Sequence, residues 1–304
     1  MYVLPFGQMS LWGNNLALSC SSIPLSLSSG LGLGVRELNP NKKFMGMFVG
    51  LVDGDGYIEI GPQKQYNKSV ESTPKSTIRA RLVIRLHSRD KAFLTSLTKV
   101  LGAGSISSLP SVNQTRLIFS KRDLVAVIIP LMKQYNLQFL TGNRARQFAL
   151  LNHIIDNQIV HWENVTFNPS RPVYSLNDLV SLSFFADWVV GFTIAEGSFG
   201  HKSNGSAFYQ IKQKGLENYV LIKAICLIIA GREAKPVKAD TADCYQLTLS
   251  SKLDVQKAVD FFSSPANYPL SGYKLEQYNV WIAGLRKSAR YHSLINLNEI
   301  NRVD

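Results

Sequence analysis

The chain has 304 residues, 45% of them hydrophobic, which is room for two modest domains with cores of their own and excludes disorder throughout. Its 33 Lys and Arg outnumber 21 Asp and Glu, and the formal net charge of +12 points to a polyanionic partner, nucleic acid first and an anionic membrane second. Cys20, Cys226 and Cys244 show no CxxC spacing and the histidines no HExxH pairing, so no disulfide framework, zinc knuckle or histidine metal site is expected.

Residues 1–40 are rich in Ser, Leu and Gly, and Arg36 and Glu37 are their only charges. They are too polar to span a bilayer, lack the basic region of a secretory signal and lack the arginines of an organelle import peptide. They read as a weakly structured leader without a legible role.

From 43 to 52 the apolar residues Phe44, Met45, Met47, Phe48, Val49, Leu51 and Val52 surround a helix almost completely, so that helix must be buried. Gly46 and Gly50 lie four apart within it. Each costs about 1 kcal/mol relative to alanine, which close approach of a second helix would offset. The run ends Val52-Asp53-Gly54-Asp55-Gly56. Next, 78–86 alternates Ile78, Ala80, Leu82, Ile84 and Leu86 with Arg79, Arg81, Val83 and Arg85, the period of a half-buried strand. Arginines crowd one face, no acid lies within the run, and Lys64, Lys68 and Lys75 extend the positive surface. A helix over 91–101 and a strand over 116–120 follow. Pro169 and Pro172 within 164–177 mark a linker.

The pattern then repeats. Val190-Gly191-Phe192-Thr193-Ile194-Ala195-Glu196-Gly197 answers Val49-Gly50-Leu51-Val52-Asp53-Gly54-Asp55-Gly56. Gly191 and Ala186 supply small residues on the second helix. Gln210, Lys212 and Lys214 share one face of a strand over 208–214, and a helix over 218–230 and a strand over 245–250 complete the copy. A second correspondence closes each half: Leu140-Thr141-Gly142-Asn143-Arg144 through Gln147 matches Leu270-Ser271-Gly272-Tyr273-Lys274 through Gln277. Two related halves thus each contribute one acid and one cation. The expected division is a leader over 1–40, a first half over 41–160, a linker over 161–180 and a second half over 181–304.

Carboxylates at helix carboxy termini oppose the helix dipole unless a cation neutralises them. Asp55 and Glu196, from opposing helix ends, can hold divalent cations with the carbonyls of Gly54 and Ala195 completing an oxygen-rich shell, a ligand set suited to magnesium. Arg144 and Lys274 are candidates for stabilising developing charge, and any base-like role falls to Lys274 because a guanidinium stays charged.

The segments 48–56 and 189–197 resemble the two motif copies of single-chain LAGLIDADG homing endonucleases, and the likeness extends over about 42–293. The resemblance implies an α+β fold of two pseudo-symmetric αββαββα halves, with antiparallel DNA-binding sheets and motif helices packed at the interface. It implies Asp55 and Glu196 as catalytic metal ligands, Arg144 and Lys274 as basic active-site positions, and Gln213 as a polar site residue with Ser88 near its counterpart. Arg79, Arg81, Arg85, Lys64, Lys68, Gln210, Lys212 and Lys214 are the expected DNA contacts. The implied protein is a monomer of mitochondrial intron origin, without a membrane. It cuts both strands of a long asymmetric duplex and leaves short 3′ overhangs, using Mg2+, with Mn2+ substituting and Ca2+ binding without efficient cleavage. An intron RNA maturase on the same scaffold is the alternative; a metal-independent DNA-binding regulator is a third reading that the acids disfavour. Three departures stand out: Ile194 replaces an acid, Arg144 replaces a frequent lysine, and Asp55 and Glu196 differ in length.

Overall fold

Asn41 starts the first long helix by accepting the Phe44 amide on its side-chain oxygen at 2.9 Å, which satisfies one donor that a helix start leaves open. The helix runs Lys42–Asp55 and is buried from Phe44 through Asp53, as its all-round apolar surface requires. At Gly56 the backbone becomes extended and enters strand β1 (Gly56–Gln63). The computed structural model describes residues 40–63, 76–233, 237–238, 243–295 and 297; residues 1–39 and Lys64, Lys68 and Lys75 lie outside them.

Strands β2 (Thr77–His87), β3 (Ser105–Leu109) and β4 (Gln114–Phe119) complete an antiparallel sheet in the order β1-β2-β4-β3. The alternation of β2 is realised except at Val83: Ile78, Ala80, Leu82 and Ile84 enter the core and Arg79 and Arg85 are exposed on the other face, but Val83, expected on the arginine face, is buried as well. Helix Lys91–Leu101 covers the core face with Phe93, Leu94, Leu97 and Leu101. A helical stretch over 121–134 is started by a Ser120–Asp123 capping box and contains a π-turn at Leu124–Ile128. Helix Gly142–Asp156 closes this half.

After a short helix at Leu176–Val180 the order recurs. Helix Phe185–Glu196 leads into β5 (Gly197–His201) and β6 (Ala207–Lys214), then helix Tyr219–Ala230, β7 (Val237–Lys238), β8 (Cys244–Leu249), helix Lys252–Ser263 and helix Gly272–Lys287. The second sheet has the order β5-β6-β8-β7, the same topology as the first. The molecule is α+β with two related antiparallel sheets.

The two motif helices, Lys42–Asp55 and Phe185–Glu196, pack directly on each other. A Cβ added at Gly50 would run into the carbonyl oxygen of Trp188, one at Gly191 into that of Met47, and one at Gly54 into the Cβ of Ala195. Gly50 and Gly191, expected to permit close approach, therefore do so. Trp188 stacks on Phe192 with ring centroids 4.6 Å apart and fills the space beside the glycine line. Among the described residues no helix is long and apolar enough to cross a membrane.

Candidate active site and nucleic-acid interface

Asp55 is the last residue of one motif helix and Glu196 the last of the other. Packing the helices side by side brings their carboxy termini together, so the acids converge where, among the described residues, neither has a hydrogen-bond donor of its own. Burial, and then the charge of Glu196, push the Asp55 carboxyl up to about 7, against the opposing pull of Lys274. Burial also raises Glu196, with Lys212 and Lys274 opposing. Burial lowers Lys274, whereas Asp55 beside it holds its charge. Its Nζ donates to the carbonyl of Gly197 at 2.5 Å. Two desolvated, mutually repelling carboxylates without donors fit a divalent cation, whose charge would neutralise both. Among the described residues no cluster of three or more His, Cys, Asp or Glu side chains that could hold a metal ion gathers.

Two cavities flank the acids, and each mixes the halves. The first, of about 260 Å³, is lined by Asp55 and Asp90 from the first half and by Ala195, Lys274 and Gln277 from the second. The second, of about 400 Å³, is lined by Gly54 and Arg144 from the first half and by Glu196, Gln213 and Lys214 from the second. The two cations are not equivalent. Lys274 couples to both acids, whereas Arg144 is tied down, donating to Gln147 at 2.9 Å and to the carbonyl of Val52 at 3.4 Å, with Asp53 as its charged neighbour.

The sheets continue the site outward. On the outer face of the first sheet Arg85 stands directly opposite Arg116, a like-charge pair that is unfavourable without an anion between them. Arg79 and Arg81 are different: Glu59, on the neighbouring strand opposite Arg81, binds them at 3.4 and 2.7 Å. The expectation of an acid-free arginine face is corrected there, because sequence order hid a carboxylate that strand pairing brings alongside. On the second sheet Lys212 and Lys214 are exposed, and Gln210 donates to Gln246 at 3.1 Å. The sheet register also corrects one placement. Gly56 pairs with Ile84 and Gly197 with Ile211, so Gln213 corresponds to Leu86, and Ser88 corresponds to Gly215.

Residues 48–154 match the sequence model of the LAGLIDADG endonuclease family. The probable intron-encoded endonuclease aI3 of Dictyostelium discoideum is 24% identical over 243 residues, which is 79% of this chain and 95% of that protein. Among solved structures, I-SmaMI bound to an uncleaved DNA target in the presence of calcium ions matches with a TM-score of 0.64 at 19% identity, over 84% of this chain and 96% of that one. I-LtrWI, a LAGLIDADG homing endonuclease bound to target DNA, matches with a TM-score of 0.61 at 19% identity, over 86% and 97%. The chain is similar to LAGLIDADG endonucleases in sequence over its first half and in fold over both.

Within the first LAGLIDADG motif, Asp53 has a structural task that sequence reading missed. Its buried carboxylate accepts from the amides of Leu140 and Thr141 at 2.8 and 3.2 Å, from the Thr141 hydroxyl at 2.6 Å and from the Trp188 indole at 2.8 Å. It docks the start of helix Gly142–Asp156, and with it Arg144, rather than finishing its own helix. Burial raises it to about 6 despite these bonds. Ile194, its counterpart in the second motif, is buried and can accept nothing. Asp90 and Glu217 were missed as well. They occupy corresponding places two residues after Ser88 and Gly215, a spacing that a strand-by-strand alignment of the halves would have exposed.

Proposed function

We propose that this chain is a sequence-specific DNA endonuclease that makes a divalent-metal-dependent double-strand break. The observation that carries the reading is the convergence of two donor-free carboxylates, Asp55 and Glu196, at the ends of paired LAGLIDADG helices between two antiparallel sheets with basic outer faces. The family match and the DNA-bound relatives of the same fold support it. Mg2+ is the proposed ion, held by both acids with the Gly54 and Ala195 carbonyls. When bound it would activate water and offset the charge of the leaving oxygen.

The chain's own residues do the rest. Arg85, Arg116, Lys212 and Lys214 hold phosphates and fix the register of the duplex, with base edges read by side chains on the same faces. Lys274, desolvated and beside Asp55, has the charge and position to stabilise the dianionic transition state or to exchange a proton with water in the first cavity. Arg144, fixed by Gln147 and permanently charged, supplies only electrostatic stabilisation in the second, where Gln213 can orient a water. The reading extends to a monomer encoded in an organellar, mitochondrial intron and to short 3′ overhangs from cleavage across the minor groove.

Selection of cut sites from a randomised duplex library in Mg2+, with a parallel arm in Ca2+, tests it. Recovery of one long asymmetric site, cut in Mg2+ and only bound in Ca2+, is the expected result. Failure to cut any duplex, combined with tight binding of intron RNA, would overturn it in favour of a maturase.

A further inference from the structure

The two helices that carry the cations begin in different ways. Asp53 holds the start of Gly142–Asp156 from within its own half, but Ile194 offers the second half no acceptor. The second start is held instead from across the interface, at an amide further along than Leu270 and Ser271, the counterparts of Leu140 and Thr141. Asp90, at the end of a 3-10 turn in the first half, accepts the Tyr273 amide on Oδ1 at 2.7 Å. The preceding residue is compatible with nothing larger than glycine. Gly272 has φ of +61°, and a Cβ there would meet Asp90 Oδ1 at 2.6 Å. The guanidinium of Arg89 lies 3.3 Å above the Tyr273 ring and closes the contact from the other side.

The residue after Tyr273 is Lys274. Its position is therefore indexed to Asp90, which lines the same cavity as Lys274 and Asp55. The opposite half lacks this arrangement. Glu217, the counterpart of Asp90, sits 3.1 Å from the place of a Cβ on Gly142 but gives its carboxylate to Arg171 at 2.5 Å. That helix start already has Asp53.

We propose that Asp90 is a positioning residue for Lys274, acting across the interface in a half whose motif helix carries no acid at Ile194, and that it governs only the strand cut in the Asp55–Lys274 cavity. The proposal rests on the endonuclease reading above. A displacement of about 1 Å at a reacting group is enough to cost roughly 100-fold in rate, and the Tyr273 amide that immediately precedes Lys274 is held by Asp90.

The test is strand-resolved cleavage of the selected duplex, labelled on both strands, with amide hydrogen exchange at Tyr273 as a readout independent of cleavage. Lys274→Met first identifies the strand served by that cavity. Asp90→Ala should then slow that strand by about 10- to 100-fold, accumulate nicked duplex and strip protection from the Tyr273 amide. Asp90→Asn keeps an acceptor oxygen and should restore both the amide protection and the strand balance to within a few-fold. Equal slowing of both strands by Asp90→Ala, or lost Tyr273 protection with an unchanged strand ratio, would overturn the proposal. A wild-type protein that cuts no duplex would instead overturn the endonuclease reading, and the role of Asp90 with it.

Discussion

Gly50 and Gly191 lie against each other's helix, each beneath a main-chain carbonyl of the partner, so the two motif helices touch backbone to backbone at their centre. This contact sets where Asp55 and Glu196 end up. A methyl group at either position must push the helices apart, since the obstructing atoms are backbone and cannot rotate away.

Gly50→Ala and Gly191→Ala should each destabilise the protein by about 3 kcal/mol, the upper part of the usual overpacking range, despite the roughly 1 kcal/mol that alanine gains as a helix former. Gly61→Ala is the control, because a Cβ there meets nothing within 4 Å and should change stability by less than about 1 kcal/mol. Urea midpoints with an unchanged slope provide the measurement. Equal midpoints for Gly50→Ala and Gly61→Ala would contradict the backbone contact.

Asp53→Ala should be among the most destabilising single changes. It leaves the Leu140 and Thr141 amides and the Trp188 indole buried without an acceptor, and each such group costs about 1–3 kcal/mol. A loss of about 4 kcal/mol in equilibrium unfolding is expected. Asp53→Asn keeps one oxygen but turns an amide nitrogen toward donors, and should fall between wild type and alanine. A loss below about 1 kcal/mol for Asp53→Ala would show that these bonds are worth far less than their burial implies.

Much of this architecture was legible in the sequence because it depends on local periodicity and on repetition. The all-round apolar run of the first motif helix, the double acidic cassette and, apart from the buried Val83, the alternation of β2 survive folding. What escaped depends on pairing between distant segments. Glu59 meets Arg79 and Arg81 only through strand register, the first-half counterpart of Gln213 is Leu86, two residues before Ser88, for the same reason, and Asp90 reaches Tyr273 across an interface that no window of sequence contains. Strand β3, Ser-Ile-Ser-Ser-Leu, is too short and polar to announce itself and exists because β4 pairs with it.

The Arg85–Arg116 pair predicts a salt signature. Neutralising one phosphate contact lowers the slope of log affinity against log salt by about 1. Arg85→Ala should do so while weakening binding to specific and random duplexes alike. Glu59→Gln should act in the opposite direction, freeing Arg79 and Arg81 from their ion pairs and tightening binding to random duplex. Titrations at several ionic strengths decide both, and an unchanged slope for Arg85→Ala would remove that residue from the interface.

The acids give the metal-free protein an unusual dependence on pH. Asp55 is held at about 7 and Asp53 at about 6 in the folded state, against an ordinary value of 3.8. Between about pH 4 and 7 the folded protein therefore keeps protons that the unfolded chain releases, and the free energy of unfolding falls as pH rises through that window. Thermal midpoints in EDTA should accordingly be higher at pH 5.5 than at pH 8. Asp55→Asn removes the larger contribution, so it should raise the midpoint at pH 8 and flatten the profile while abolishing cleavage in Mg2+ and retaining DNA binding in Ca2+. A divalent cation binds the ionised carboxylates, so added Ca2+ should stabilise wild type more at pH 8 than at pH 5.5 and should leave Asp55→Asn nearly unmoved. If the midpoint of Asp55→Asn at pH 8 instead falls below wild type in EDTA, Asp55 is a structural acid and not one kept at a destabilising position for the ion it holds.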